Sequence, residues 1–369
     1  LHRSRGLGDV YKRQVENHPG LAEKLANGEA LVGTIDAYLV YRLTGGEVFA
    51  TDSTNASRTL LFDIGRLQWD EELCDLFQVP IRALPEVRES SARFGETDLV
   101  GALTTVVPIV GVMGDSQAAL FAQRCFAPGT AKATFGTGSS VLLNIGSTLQ
   151  LSTTGVVTAL AWVREGKPVY AFEGIIINSA ATLKWLQNQL ELFRDVDELD
   201  ALSREVEDSG GVYIVPAFSG LGLPHWSPDA RAAIVGLSDH SDRRHIARAA
   251  IESIAFQLLD ALDAMQDESG VVLNLMKAEG GPTANDLLMQ FTADITGTEI
   301  EVPDVPDCSP LGAVLKGLLG LGVYASLESI AALGLESRNF QPAMSETDAG
   351  TRHDGWQTAV RQVLAGVIE

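Results

Sequence analysis

The sequence predicts an α/β protein in which a mixed β-sheet is covered by helices, and three observations carry that reading. The apolar run Val106–Met113, rich in β-branched residues, breaks off at Gly114 and Asp115 and gives way at once to a helix-like pattern. Paired strand-like runs joined by glycine-containing turns follow between Ala131 and Phe172. From Val212 onward, strand-length apolar runs alternate with helical patterns. Hairpins followed by repeated strand-helix units build a mixed sheet with helices packed on it.

A length of 369 residues suffices for a large core and suggests two domains, or one domain plus part of another. With 48 acidic and 27 basic residues the net charge is −21, a field that repels nucleic acid and anionic membranes. The cysteines Cys74, Cys125 and Cys308 are odd in number and far apart, so neither a disulfide framework nor a paired zinc motif is indicated, and a reducing cytoplasm is the simplest setting. No apolar run reaches the roughly 18 to 20 residues of a membrane span. The first fourteen residues, LHRSRGLGDVYKRQ, concentrate Arg3, Arg5, Lys12 and Arg13 and show no periodic apolar pattern. They read as foreign sequence, with a short basic arm as the alternative, and are set aside from the fold.

Taken in order, Leu21–Leu43 is helical, with Leu31, Ile35, Tyr38, Leu39 and Leu43 near one face and Gly45-Gly46 as the stop. The polar cluster Asp52–Arg58 ahead of Leu60-Leu61-Phe62 is either a loop or a wall of a substrate cleft. Glu71–Phe77 is a short amphipathic helix and Pro80–Glu86 a turn. Val106–Met113 has the length of a buried parallel strand, and a helix begins near Gln117. One hairpin joins Ala131–Phe135 to Val141–Ile145, and a second joins Gly155–Trp162 to Pro168–Phe172 through Glu165-Gly166-Lys167. Helices are expected over Ser179–Phe193 and Val196–Val206, then a strand over Val212–Phe218 and a glycine-rich loop, Ser219–Trp226. The later alternation is strand Ala232–Leu237, helix His245–Met265, strand Leu273–Ala278, helix Ala284–Ile295, strand Glu299–Val302 and helix Leu311–Leu321, closed by an amphipathic helix over Trp356–Ile368.

Three places could carry chemistry. Asp115, at the carboxyl end of a strand, sits where open α/β sheets bind ligands, although an aspartate there can equally cap the next helix. Gly136-Thr137-Gly138, at a hairpin tip, could offer amides and a hydroxyl to phosphate oxygens, or be a plain turn. Gly280-Gly281, between strand and helix, is placed where nucleotides often bind, or simply ends the strand. His225, His240 and His245 do not form a metal spacing, and no G-x-x-x-x-G-K-[ST] loop is present.

From about Val15 to Ile368 these blocks, in this order, resemble the later two-thirds of the FGGY family of sugar and polyol kinases, and within it the glycerol kinase branch. The resemblance is carried by GTIDAYLVYRLTGG, TDSTNASRTLLFDI, LPEVRESSARFGET, GDSQAALFAQ, TFGTGSS, GVYIVPAFSGLGLPHW, AIVGLSDHSDRRHIARAAIES and AEGGPTANDLLMQFTADITGT. It implies an actin-like ATPase fold of ribonuclease-H-like architecture, with residues 15–124 as the remainder of an N-terminal kinase domain and 125–369 as a complete C-terminal one. It implies ATP and Mg²⁺ as cofactors and a polyol or sugar as the small-molecule partner, with glycerol first and a larger polyol or a ketose such as xylulose next. A homo-oligomer is compatible with it. Asp115 matches the family's catalytic base, Gly136, Thr137 and Gly138 its phosphate turn, and Gly281 with Asn285 its adenine-end site. A non-catalytic sugar-binding relative is the alternative, but a pure binder has no need of a base at Asp115.

The chain also departs from the family pattern. The family's D-x-G-T-x-S phosphate loop, its magnesium-binding acid and several sugar contacts are not visible here, so the chain reads as shortened by about one compact unit and is expected to bind ATP weakly without turnover. Ser116 stands where glycerol kinases usually carry Gln, and Ser140 where they usually carry a bulky apolar residue. Both substitutions imply a more polar, roomier sugar pocket, each worth roughly 1 to 3 kcal/mol of affinity.

Overall fold

The computed structural model describes residues 7–305 and 307–367. The first helix, α1 (Leu7–Asn17), buries Tyr11 and Val15, and Tyr11 joins a small core with Leu61, Cys74 and Phe77. Residues 7–14 are therefore packed, although the sequence reading set them aside. The buried face of α1 runs Gly8, Tyr11, Val15, a helical spacing obscured in the sequence by the basic residues between. Leu1–Gly6 lie outside the described residues. The single helix expected over Leu21–Leu43 is two, α2 (Leu21–Asn27) and α3 (Ile35–Leu43), because Gly28 ends α2 in the left-handed conformation at φ 76°. The expected inner stripe of α3 is its outer face: Ile35, Tyr38 and Leu39 are 71%, 53% and 50% exposed, while Ala37 and Val40 are buried and Val40 packs with Ala50 and Phe94.

Short elements follow: β1 (Ala50–Asp52), α4 (Ser53–Ala56), β2 (Phe62–Asp63), β3 (Gln68–Trp69), α5 (Glu71–Leu76), β4 (Glu86–Arg88), β5 (Arg93–Thr97), β6 (Val107–Val110) and α6 (Asp115–Ala122). β1 pairs in parallel with β4, and β2 with β3 antiparallel. β6 corrects the expected buried parallel strand. It spans only four residues, pairs antiparallel with β5 in a two-stranded sheet, and leaves Val106 and Val107 exposed. Pro108 has no amide to donate and Gly111 adopts φ 91°, so the extended run cannot continue to Met113.

The central sheet has seven strands: β7 (Thr130–Phe135), β8 (Ser139–Gly146), β9 (Val157–Arg164), β10 (Lys167–Ile176), β13 (Leu275–Glu279), β14 (Ile300–Pro303) and β15 (Ser337–Phe340), in the order β15-β14-β13-β7-β8-β10-β9. β13 runs parallel to both β7 and β14, and the remaining pairs are antiparallel. Between these lie α7 (Ala181–Asn188), α8 (Val196–Arg204), the pair β11 (Tyr213–Val215) and β12 (Ala233–Val235), α9 (Arg243–Ser269), α10 (Asp286–Thr296), α11 (Cys308–Gly320), α12 (Leu327–Ala331) and α13 (Glu346–Ala365). α7 stops five residues short of the expected Phe193, and α13 starts ten residues before Trp356.

Alternation along β8 sorts the two layers. Val141, Leu143 and Ile145 pack toward α9 and α10 with Ile254, Phe256 and Phe291, while Leu142 joins Phe121, Trp162 and Leu315 under α6 and α11. α11 packs its glycines closely against α6 and the end of β6. An added Cβ on Gly312 would fall inside the radius of the Ala118 carbonyl oxygen, and one on Gly317 would come 2.6 Å from the Val110 oxygen. Among the described residues no helix is long and apolar enough to cross a membrane, and all three cysteines are buried and unpaired.

Candidate active site

Asp115 is the first residue of α6, and Gly114, not Asp115, holds the cap position. Its side chain is exposed, Oδ1 accepts the Ser116 amide at 2.7 Å, and Oδ2 has no partner among the described residues. The backbone around it is tied from two sides. The Gly114 amide donates to Thr54 Oγ1 at 2.8 Å, and Thr54 Oγ1 donates to Asp52 Oδ2 at 2.7 Å. Ser90 Oγ also donates to that oxygen, at 2.6 Å, and Asn55 satisfies Oδ1 through its amide and side chain. From the other side, Ser309 Oγ in the first turn of α11 donates to the Asp115 carbonyl at 3.0 Å. The polar cluster Asp52–Arg58, left open between loop and cleft wall, thus supplies a buried support for the residue before Asp115. Burial pushes the Asp52 carboxyl up, against the pull of its hydrogen bonds.

The Gly136-Thr137-Gly138 tip joins β7 to β8 as a hairpin. Its carbonyls are engaged: Gly136 O accepts the Ala180 amide at 3.0 Å, and Thr137 O accepts those of Ser179 and Ala181 at 2.9 and 3.1 Å, ahead of and into α7. Among the described residues no protein group accepts the amides of Gly136, Thr137 or Gly138, which leaves three donors at the tip. Ser140 pairs with Thr134 across the hairpin, so its side chain shares the sheet face on which α6 lies. Ser116 is half-buried beside Asp115.

Gly281 and Asn285 line a cavity of about 570 Å³, with Ala180, Leu183, Lys184, Phe193, Asp200 and Leu288 among its other walls. Gly280 makes the turn at φ 101°, where an added Cβ would strike the Phe135 carbonyl, while Gly281 faces open space. Asn285 caps α10 by accepting the Leu288 amide at 2.9 Å and donates to Asp200 at 3.2 Å. The structure brings Gly281 and Asn285 together in this cavity, whereas Asp115, Ser116, Ser140 and the hairpin tip lie outside its lining. Ala180, bonded to Gly136 and lining the cavity, connects the tip to it.

Between these parts sits a charged group that sequence reasoning missed. Lys132 is 2% exposed in β7, with its ammonium 3.7 Å from Glu279 at the end of β13, and Glu279 also accepts Thr134 Oγ1 at 2.8 Å. Burial lowers the Lys132 pKa, while Glu279, Glu173 and Asp115 oppose that shift. The Ala-Lys-Ala-Thr alternation of β7 was the available signal, since Ala131 and Ala133 face α9 and Lys132 and Thr134 must face α6.

Two family profiles match the chain in this order: FGGY family of carbohydrate kinases, N-terminal domain, over residues 14–122, and the C-terminal domain of the same family over residues 131–321. The chain belongs to the FGGY family of carbohydrate kinases. A glycerol kinase of Desulfitobacterium hafniense is 45% identical over 94% of this chain and 70% of its own length, and one from Shewanella amazonensis is 44% identical over 97% and 72%. The crystal structure of Plasmodium falciparum glycerol kinase with ADP superposes with a TM-score of 0.92 at 36% identity, covering 96% of this chain and 71% of that one. A ligand-bound xylulose kinase from Lactobacillus acidophilus shares the fold at a TM-score of 0.82 and 19% identity. The FGGY chain therefore has the actin-like ATPase fold and is an ATP-dependent phosphotransferase acting on an alcohol group. The chain thus presents an exposed carboxylate at Asp115, a glycine-threonine-glycine hairpin tip, and a cavity joined to that tip through Ala180.

Proposed function

We propose that the protein transfers the γ-phosphoryl group of ATP to a hydroxyl of glycerol. The observation that carries this reading is the 41–45% identity to glycerol kinases over nearly the whole chain, combined with an exposed carboxylate at the position of the base. The Asp115 carboxylate accepts the proton of the attacking hydroxyl. The amides of Gly136, Thr137 and Gly138 donate to phosphate oxygens, whose negative charge must be met by fixed donors. Gly281 and the apolar cavity take the adenine end, and Ser116 and Ser140 border the acceptor. Mg²⁺ is the ion such a transfer calls for, with its protein ligand expected in the part of the family pattern not visible in this chain. When bound, that ion neutralises phosphate charge. The two serines favour a second acceptor class, larger polyols or ketoses, because each leaves room and a hydroxyl where a bulkier group would close the pocket. The buried, unpaired cysteines agree with a reducing cytoplasm.

The test uses the protein that carries this chain. Asp115→Asn should lower glycerol-dependent ADP formation by about 10²-fold to 10⁴-fold and leave ADP binding intact. Unchanged turnover would remove Asp115 from the mechanism, and faster turnover on xylulose than on glycerol would select the second acceptor class.

A further inference from the structure

The nucleotide cavity contains a carboxylate whose two oxygens are oriented by the protein and still have acceptor capacity. Asp200, on α8, receives Asn285 Nδ2 on Oδ1 at 3.2 Å and Arg204 Nε on Oδ2 at 2.7 Å. Each carboxylate oxygen has a second lone pair, and the side chain keeps about a third of its surface, 36%, uncovered. Asn285 directs its Oδ1 to the α10 amide of Leu288, and as a neutral amide oxygen it is a weaker acceptor than the Asp200 carboxylate. The rest of the cavity suits a flat ring: Leu183, Phe193, Ile251 and Leu288 are apolar, and Gly281 offers backbone with nothing within 4 Å of where a side chain would start.

We infer that Asp200 selects the purine, accepting a hydrogen bond from a 6-amino group and rejecting a 6-oxo group, with Asn285 and Arg204 as the residues that hold it in place. The inference rests on the cavity being the nucleotide site, as proposed above. The physical basis is a difference between two otherwise similar rings. At the 6-position an exocyclic amine brings N–H donors to a carboxylate, whereas a 6-oxo group brings lone pairs; the 6-oxo ring's own donor, N1–H, lies one ring atom away, so a carboxylate held in place by Asn285 and Arg204 against the 6-position meets an acceptor there. The phosphates and ribose are common to both nucleotides and cancel in the comparison. So does the general gain in phosphate affinity when any acidic residue is removed.

Calorimetric titration of the chain with ADP and with IDP tests this, because the two differ at the purine 6-position. The wild-type protein should prefer ADP by about tenfold or more, the scale of one charge-assisted hydrogen bond at a partly open site. Asp200→Asn can turn an amide N–H toward the 6-oxo group and should bring the two affinities within about threefold. Asp197→Asn, on the same helix and the same cavity, should keep the preference, and thermal melting of both variants establishes that α8 is intact. Equal affinities in the wild type, a full preference in Asp200→Asn, or equal losses in both variants would overturn the assignment. Absence of binding by either nucleotide would instead overturn the nucleotide-site reading on which it stands.

Discussion

Replacing Lys316 with Met should stabilise the protein at neutral pH. Lys316 lies on α11 with no exposed surface, and its ammonium has no hydrogen-bond partner among the described residues, only the face of Phe121 at 5.0 Å from the ring centre. Burial drags its pKa from 10.5 down to about 8, against the pull of Glu89 and Asp52. The folded state therefore holds this proton less tightly than the unfolded chain. Below about pH 8 the charged form is present in both states and the folded one bears the full cost, about 3 kcal/mol at 1.36 kcal/mol for each pKa unit. As pH rises from about 8 toward 10.5, the folded state releases the proton first, and the cost is relieved. Met fills a similar volume without a charge. Urea unfolding at about pH 7 should show Lys316→Met more stable by about 2 to 3 kcal/mol, with the gap closing toward about pH 10. Two opposed effects are being weighed, desolvation of the lysine and its service as counter-charge to the buried Asp52. A variant less stable than wild type at pH 7, or a gap that does not change with pH, would refute the judgement that desolvation wins.

Two further perturbations probe the framework of the site. Gly312→Ala should cost about 3 kcal/mol or more in chemical denaturation, because its Cβ meets the backbone of Ala118 and cannot be relieved by a rotamer change. His353 Nε2 donates to the carboxylate of the buried Asp260 at 2.9 Å, and that bond raises its pKa, so its stabilisation is present at acid pH and lost as pH rises through the raised value. The stability difference between wild type and His353→Gln should therefore be larger near pH 5 than near pH 9, measured by denaturant unfolding at both.

Much of the architecture was legible because long periodic segments leave little choice. The repeated small and apolar residues of α9, the hairpins with glycine tips and the alternation from β11 to α11 all lie close to where the sequence placed them. What failed was the sign of burial in short elements. α3 has apolar residues on both faces, and only the packing of Val40 against Phe94 tells which face is inward. The strand-to-helix turns at Asp115, Gly281 and Asn285 were legible, because glycine or a cap residue marks each. Their supports were not. Thr54 reaches Gly114 across 60 residues, and Lys132 and Lys316 sit in segments where lysine would normally read as a solvent-facing position. Periodicity cannot signal a contact whose partner is so distant in the chain.

The position of Asp115 follows from that distant support. The residue before it is held by its amide, through Thr54 and Asp52, to the portion matched by the N-terminal family profile. Its own carbonyl is held by Ser309, on a helix matched by the C-terminal profile. Both bonds restrain backbone atoms, and neither uses the carboxylate. Fixing the backbone while the side chain stays exposed leaves Asp115 only its own torsions to adjust, and under the proposed role little ordering would remain to be done when an acceptor hydroxyl arrives. The Ser116 amide orients the carboxylate through Oδ1 and leaves acceptor capacity on both oxygens. Gly114 occupies the cap of α6, and Asp115, one residue later, accepts the Ser116 amide at the second helical position while its other oxygen has no partner among the described residues.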